Sequence, residues 1–187
     1  MGKKMKKAWG HFCTITHHKI LVMKHCFRVG LYKQGILHDL SKYMPSEFLI
    51  GCRYYQGTRS PNNAERETTG CSTAWLHHKG RNKHHYEYWI DYGLHGEKTL
   101  IGMKMPVKYV VEMVMDRIAA SKIYMKENYT DEKPLEYYEQ GAALMENVLH
   151  KDTKELLEKL LHMLAEKGED VTFDYIKKEI LGKNEVC

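Results

Sequence analysis

The sequence predicts an all-α protein, and three observations support this fold class. Apolar residues recur every three or four positions through most of the chain, which is the spacing of one helix face. Glycines stand just past the ends of several of these segments, as they do at helix C-termini. No stretch alternates apolar and polar residues as a half-buried strand does. With 187 residues, 43% hydrophobic and 28% charged, the chain has the size and composition of a single domain, which we predict over residues 1–187.

The helices of the first half follow from these spacings and from their end signals. Residues 4–29 carry an apolar face that closes near Gly30, and Pro45 suits the first position of another helix. Ser72 is a candidate N-cap for a helix that breaks near Gly80. We predict helices over residues 4–29, from 45 onward, over 73–78 and over 84–89.

Two polar connections and a helical second half complete the domain. Residues 57–72 are polar and punctuated, so we predict a loop there, with one helical turn after Pro61 as an alternative, and a second connection at 93–105. Pro106 then opens the most regular apolar spacing of the chain. We predict helices over 107–125, 134–149, 153–167 and 173–181. Residues 126–187 contain no motif that indicates a function.

Charge and cysteine content restrict the class of partner and the compartment. The formal charge is +5, a mild excess that suits a small anionic molecule or weak contact with nucleic acid and requires neither. We expect a small anionic partner and no nucleic acid. The five cysteines are scattered without a CxxC pair, which is typical of reduced thiols. No apolar run approaches the length of a membrane helix, and no signal-peptide core follows the basic start. We therefore expect a cytoplasmic protein without membrane contact; the sequence does not indicate an oligomeric state.

Histidine is the unusual component of the composition. The chain has 12 histidines, and ten lie between His11 and His95. They form the pair His17-His18, the pair His38-Asp39 and the box from His77 to His85. Each group taken alone could be a solvent-exposed polar segment. Imidazole and carboxylate ligands without thiolate suit Mn, Fe, Co, Ni or Zn, so together these groups predict one or two divalent metal ions of one of these kinds.

Asp116 is the candidate that a surface role explains least well. On the 107–125 helix its same-face neighbours include Met113, Ala119 and Ile123, so its carboxylate lies on a largely apolar face. A buried carboxylate is costly unless it is paired or binds a metal ion. Metal sites inside helical bundles are built from such inward-facing carboxylates.

The order His18, His38-Asp39, Asp116 resembles the signature of the HD-domain superfamily of all-α, metal-dependent phosphohydrolases. The segment Leu37-His38-Asp39-Leu40-Ser41-Lys42 resembles its apolar-His-Asp-apolar-small-Lys box. More narrowly, this box and the Trp-Leu-His-His-Lys-Gly-Arg-Asn-Lys-His-His box at 75–85 resemble an uncharacterised family of short bacterial HD-type proteins. The resemblance covers about residues 11–125, and it implies a compact HD-type helical bundle with a buried metal site there, followed by a helical C-terminal part at 126–187.

The resemblance implies specific roles for these residues. The ligands of a first ion would be His18, His38, Asp39 and Asp116. His78 and one of His84 and His85 would hold a second ion or donate to a substrate phosphate; we assign His85, which is seven residues from His78 and would share its helix face if the helix continued past Gly80. The adjacent pairs 17/18, 77/78 and 84/85 remain alternatives. Asp39 and Lys42 would be the catalytic residues, and Lys79 and Arg81 would bind the substrate phosphate.

The function that the resemblance implies is hydrolysis of a small phosphorylated molecule, with a nucleotide favoured, by a metal-activated water. A first alternative is an HD-type di-iron oxygenase, because the superfamily includes myo-inositol oxygenase, whose ligand order this chain could also satisfy. A second alternative is a non-enzymatic module that binds its partner through basic loops.

Overall fold

The computed structural model describes residues 2–93, 100–145 and 148–182, and this part of the chain is all-α, as predicted. The helices are α1 (Lys3–Arg28), α2 (Tyr32–Leu37), α3 (Pro45–Tyr54), α4 (Pro61–Thr69), α5 (Thr73–Lys79), α6 (Val107–Met125), α7 (Lys133–Met145) and α8 (Lys151–Tyr175). Short 3-10 turns at Leu40–Tyr43, Tyr86–Trp89 and Lys126–Asn128 and a π-helical turn at Ile176–Leu181 join or extend them.

Several predicted helix ends are confirmed by their capping geometry. Pro45 is the first residue of α3, and Pro106 directly precedes α6. The Ser72 hydroxyl accepts a hydrogen bond from the Trp75 amide at 3.0 Å and so caps α5. Gly80 follows the last residue of α5, as predicted.

The prediction of a loop over 57–72 is wrong, because α4 occupies most of it. The Ser60 hydroxyl accepts from the Asn62 amide to cap this helix, and Gly70, with φ of 81°, ends it in the left-handed conformation. The helix is held by its one deeply buried carboxylate, Glu65, which accepts hydrogen bonds from the Ser72 hydroxyl and the Thr73 amide. The polar composition of residues 57–72 therefore indicated a loop, although a helix forms there that is stabilised by contacts with α5.

The predicted helix over 84–89 is also wrong, because only the 3-10 turn Tyr86–Trp89 forms there. It leads into a two-stranded antiparallel sheet, β1 (Ile90–Tyr92) and β2 (Leu100–Gly102), in which Asp91 lies opposite Ile101. Three-residue strands are too short to show alternation in the sequence; β2 falls within the predicted connection at 93–105, and β1 falls between that connection and the predicted helix over 84–89. A Cβ atom at Gly102 would overlap the Val148 carbonyl, so glycine permits this close approach.

The predicted helix end at Gly168 is confirmed. The range of α8 contains two helical segments that meet at Gly168, whose φ of 77° and ψ of 175° are not helical, and the Thr172 hydroxyl donates to the Gly168 carbonyl at 2.8 Å. α7 ends at Met145; the predicted helix to 149 includes residues 146–147, which lie outside the described residues. Among the described helices, none combines the length and apolarity that crossing a bilayer requires.

The hydrophobic core is centred on α6, which contacts both α1 and α8. Its apolar side chains, among them Val111, Met115 and Ile118, are fully buried. α1 contributes Val22 and Cys26, and α8 contributes a row of leucines: Leu157, Leu160, Leu161 and Leu164. This packing places Asp116 of α6 against His18 of α1, because both residues lie on the helix faces that meet.

Candidate metal centre

The His38-Asp39 pair lies in a sharp turn between α2 and the Leu40–Tyr43 turn. Asp39 has φ of 54° and ψ of 24°, a left-handed conformation that Asp and Asn tolerate better than most residues. The Lys19 ammonium donates to the carbonyls of Ile36 and His38 at 2.6 and 2.9 Å, which ties this turn to α1. The turn lets two consecutive side chains point to the same region, as extended or helical backbone would not.

A first donor group comprises His18 of α1, His38, Asp39 and Asp116 of α6. One nitrogen or oxygen of each residue lies within 4.8 Å of the others. His18 Nε2 lies 2.8 Å from Asp116 Oδ1, and His38 Nε2 lies 3.3 Å from Asp39 Oδ2. His17 is exposed, whereas His18 is buried and belongs to this group. All four residues assigned to a first ion are brought together.

A second donor group shares Asp39 with the first and adds His78, His84 and His85. His78 Nε2 lies 3.3 Å from Asp39 Oδ1, and His84 Nε2 lies 3.5 Å from the same oxygen. Both members of the pair His84-His85 therefore join the group, although only His85 was chosen. The two rings lie with their centroids 4.1 Å apart. Because α5 ends at Lys79, His78 and His85 do not share a helix face.

Most donor atoms of the two groups are buried without hydrogen-bond partners. Six such atoms belong to the cluster: Nε2 of His18, His38, His84 and His85, and both carboxylate oxygens of Asp39. His18 Nε2 approaches Asp116 Oδ1 closely, yet the oxygen lies off the direction in which the ring nitrogen would donate. Buried polar atoms without partners are costly and rare. Their convergence, with nitrogen and carboxylate oxygen as the only donors, fits one or two divalent cations of the Mn to Zn series.

Two buried glutamates hold the outer nitrogens of three of these imidazoles. Glu112 Oε1 lies 2.9 Å from His38 Nδ1 and 3.2 Å from His84 Nδ1. Glu47 Oε2 lies 2.8 Å from His78 Nδ1, and its other oxygen lies 2.6 Å from His77 Nδ1. A carboxylate on Nδ1 fixes the ring with Nδ1 protonated and leaves Nε2 free to bind a metal ion. This arrangement also distinguishes His78, which faces Asp39, from His77, which contacts the Ser46 hydroxyl at the surface.

The electrostatics of the cluster favour added positive charge. Burial alone would raise the pKa of Asp39, but His38, Lys42 and His78 hold it well below its ordinary value. Burial likewise opposes the charge on His38, but Asp39, Asp116 and Glu112 raise the pKa of this imidazole well above its ordinary value. His85 differs, because burial and the neighbouring histidines lower its pKa. The ionised carboxylates thus favour protonated imidazoles when no other cation is bound. A metal ion would replace those protons.

The predicted catalytic and substrate-binding cations lie at different places. The Lys42 ammonium approaches Asp39 Oδ2 to 2.5 Å, at an angle that does not make a hydrogen bond. Arg81 is exposed and lines a cleft of about 190 Å3 that ends at His84 and Glu112. Burial raises the pKa of Glu87, and the half-buried Lys79 opposes part of that rise. Lys42 therefore contacts Asp39 of the donor groups, Arg81 shares a cleft with His84 and Glu112, and Lys79 does not contact the cluster through any described ion pair.

Sequence reasoning missed the supporting carboxylates. Glu112 lies one helical turn before Asp116 on the same face of α6, so the argument that singled out Asp116 would also have found it. Glu47 gave no such signal, because its place in the first turn of α3 is typical of a surface residue. Glu65 supports the site indirectly, because its carboxylate accepts hydrogen bonds from the backbone amides of Thr73 and Ala74 at the N-terminus of α5, the helix that carries His78.

One comparison with known protein families matches the part of the chain that carries both donor groups. The model of a family of unknown function, DUF5662, matches residues 7–163, a range that includes every residue of both donor groups. No curated protein and no solved structure matches the chain. Because the matched range covers well over half of the sequence, the chain belongs to the DUF5662 family.

Proposed function

We propose that this protein is a metal-dependent phosphohydrolase of the HD type that hydrolyses a small phosphorylated molecule, with a nucleotide favoured. The observation that supports it most directly is the position of Asp39. One of its oxygens faces His38 and the other faces His78 and His84, so a single carboxylate can bridge two ions. Paired metal sites a few ångströms apart are typical of phosphoryl-transfer enzymes.

The residues around the cluster would have different roles in such a reaction. A divalent ion held here would lower the pKa of water and offset negative charge on the phosphoryl oxygens. The side chains of Asp116 and Lys42 are 17% and 27% exposed, whereas that of Asp39 is 2% exposed, so substrate would approach past the first two. The Lys42 ammonium would then contact a phosphoryl oxygen from this side, while buried His38 and His84 keep water access limited.

Arg81 is assigned to substrate binding within the same proposal, in a cleft that neither Asp116 nor Lys42 lines, so it would bind a part of the substrate other than the reacting phosphoryl group. Its cleft is also lined by the cations Lys33 and Lys83 and by the Tyr109 ring. A cleft with three cations attracts an anion, and an aromatic ring offers a surface for a base. The protein would act in the cytoplasm, where its cysteines, all unpaired in the described part, remain reduced.

The first test is the metal content of the native protein, followed by a screen of phosphorylated compounds with Mn²⁺, Co²⁺ or Fe²⁺. His18→Ala is expected to lose the first ion and the activity, and His17→Ala serves as its matched control because His17 is exposed next to it. Equal metal content and activity in both variants would contradict the assignment.

A second pair of variants separates metal binding from substrate binding. His78→Ala is expected to lower the occupancy of the second ion and leave the first in place. Arg81→Ala is expected to raise the KM for a phosphorylated substrate and leave both ions bound. Normal stoichiometry and kinetics for both variants would remove the 77–85 box from the site.

A di-iron oxygenase is the second candidate, and the nitrogen-rich donor set favours it. Five imidazoles and two carboxylates surround the two positions, and imidazole suits iron well. Optical and electron paramagnetic resonance spectra of aerobically purified protein distinguish the two functions, because a di-iron site gives a mixed-valence signal and Mn²⁺ or Zn²⁺ does not. A protein that binds no metal and keeps all properties after Asp39 substitution would instead support the basic binding module.

A further inference from the structure

The N-terminal third of the chain exposes an apolar patch beside α1. We define this patch as the residues that line a surface cleft of about 320 Å3: Met5, Ala8, Trp9, Phe12 and Phe48. Trp9 is 62% exposed and stacks on Phe12, with ring centroids 5.7 Å apart. Eleven of the nineteen large apolar side chains that are exposed in the described part lie between Met5 and Leu49. Contiguous exposed apolar patches, unlike single exposed residues, mark surfaces that bind a partner or a membrane, and the five residues that line this cleft form such a patch.

The exposed charges of α1 and α3, the two helices that carry the patch, are of one sign. Up to residue 64 the sequence has eleven Lys and Arg residues and only two acidic residues, Asp39 and Glu47. Both acidic side chains are buried in the metal centre, at 1% and 5% exposure. Through residue 64, the described surface of α1, α2 and α3 therefore presents no carboxylate, and Lys4 and Lys6 lie exposed next to the patch.

The start of α1 is also a poor helix end in water. Its first turn has no acidic residue, and its N-cap, Gly2, makes no side-chain hydrogen bond. Lysines near a helix N-terminus oppose the helix dipole. Anionic groups placed against this end would relieve both the uncapped amides and the lysine charges.

We propose that this patch binds an anionic membrane surface, with Trp9, Phe12 and Met5 inserted at the level of the lipid headgroups. An exposed aromatic and apolar helix face flanked by lysines is the arrangement of an interfacial membrane anchor. A second copy of the chain fits less well, because face-to-face contact would bring two lysine-rich, carboxylate-free surfaces together. This inference replaces the expectation of no membrane contact, which considered only segments that could cross a bilayer, and it does not depend on the proposed hydrolase activity.

The test is co-sedimentation of the full chain with phosphatidylcholine vesicles that contain about one third phosphatidylglycerol, compared with pure phosphatidylcholine vesicles. The protein is expected to bind the anionic vesicles at least about tenfold more tightly and to lose affinity as salt rises. K4E/K6E/K7E should weaken binding by about two orders of magnitude. This variant adds acidic groups at the N-terminus of α1, which stabilises the helix, so lost binding would not reflect lost folding.

The apolar contribution is tested by W9S/F12S, with Tyr92→Ser as the matched control because Tyr92 is an exposed aromatic residue on β1. The double variant should lose vesicle binding by about tenfold or more, and the control should bind as the wild type does. Failure to bind anionic vesicles at low salt would overturn the inference, and so would unchanged binding by W9S/F12S. A wild-type dimer in solution that W9S/F12S converts to a monomer would overturn it in favour of self-association.

Discussion

Glu112→Gln tests the support of the metal centre most sharply, because one carboxylate oxygen serves both donor groups. Glu112 Oε1 holds His38 of the first group and His84 of the second, at 2.9 and 3.2 Å. The neutral amide weakens both charge-assisted contacts and no longer favours protonated Nδ1 on both rings. Loss of such a partner typically lowers metal affinity 10- to 100-fold, or about 1.4 to 2.7 kcal/mol. We expect a loss of that size for each of the two ions.

Glu47→Gln is the informative comparison, because among the donor residues Glu47 contacts only His78. It should weaken the second ion alone, by a similar factor, and leave the first unchanged. Competition titrations with Co²⁺ or Zn²⁺ against a chromophoric chelator measure both affinities without reference to activity. Glu136→Gln, at an exposed position on α7, controls for the loss of one charge. Wild-type affinity for both ions in Glu112→Gln, or an equal effect of Glu47→Gln on both ions, would refute the reasoning.

Three further outcomes follow from single residues. Asp39→Ala should abolish tight metal binding while far-ultraviolet circular dichroism stays unchanged, since it also removes a buried charge; one tightly bound equivalent of metal in the variant would contradict this. Gly51→Ala should lower stability by about 1–3 kcal/mol, because its Cβ would overlap the His11 ring, whereas Gly2→Ala meets nothing within 4 Å; equal thermal midpoints would contradict this. Burial lowers the pKa of His25 to about 4, so the unfolded chain binds the proton first as pH falls. Wild-type stability should therefore fall about 2 kcal/mol more than that of His25→Gln between pH 7 and pH 5, and equal losses in urea titrations would refute it.

The candidate metal centre combines residues that are neighbours in the sequence with residues that are distant in it. His38 and Asp39 are adjacent, and their turn places both at the cluster. Asp116 and Glu112 arrive from α6, more than seventy residues later, and contact them only because α6 packs against α1. The ligand types and their order are therefore local information, whereas the distances among the ligands depend on helix packing.

The helices that the sequence predicted correctly are those with strong local signals. Pro45 and Pro106 mark starts because proline fits the first turn of a helix and little else inside it. Ser72 marks another, since its hydroxyl caps α5. α4 was missed because its polar face carries few apolar residues, and its stability comes from contacts of Glu65 with the following helix. The spacing of apolar residues within one helix does not predict a contact that this helix makes with another.

The same division holds within the candidate site. The sequence by itself determined an all-α chain and a set of histidines and carboxylates that resembles a metal centre in its order. Only the tertiary structure decided between His17 and His18 and between His77 and His78, and it included both His84 and His85. Adjacent residues differ by about 100° around a helix, and which of them faces inward is decided by the surface that packs against the helix, not by the residues themselves.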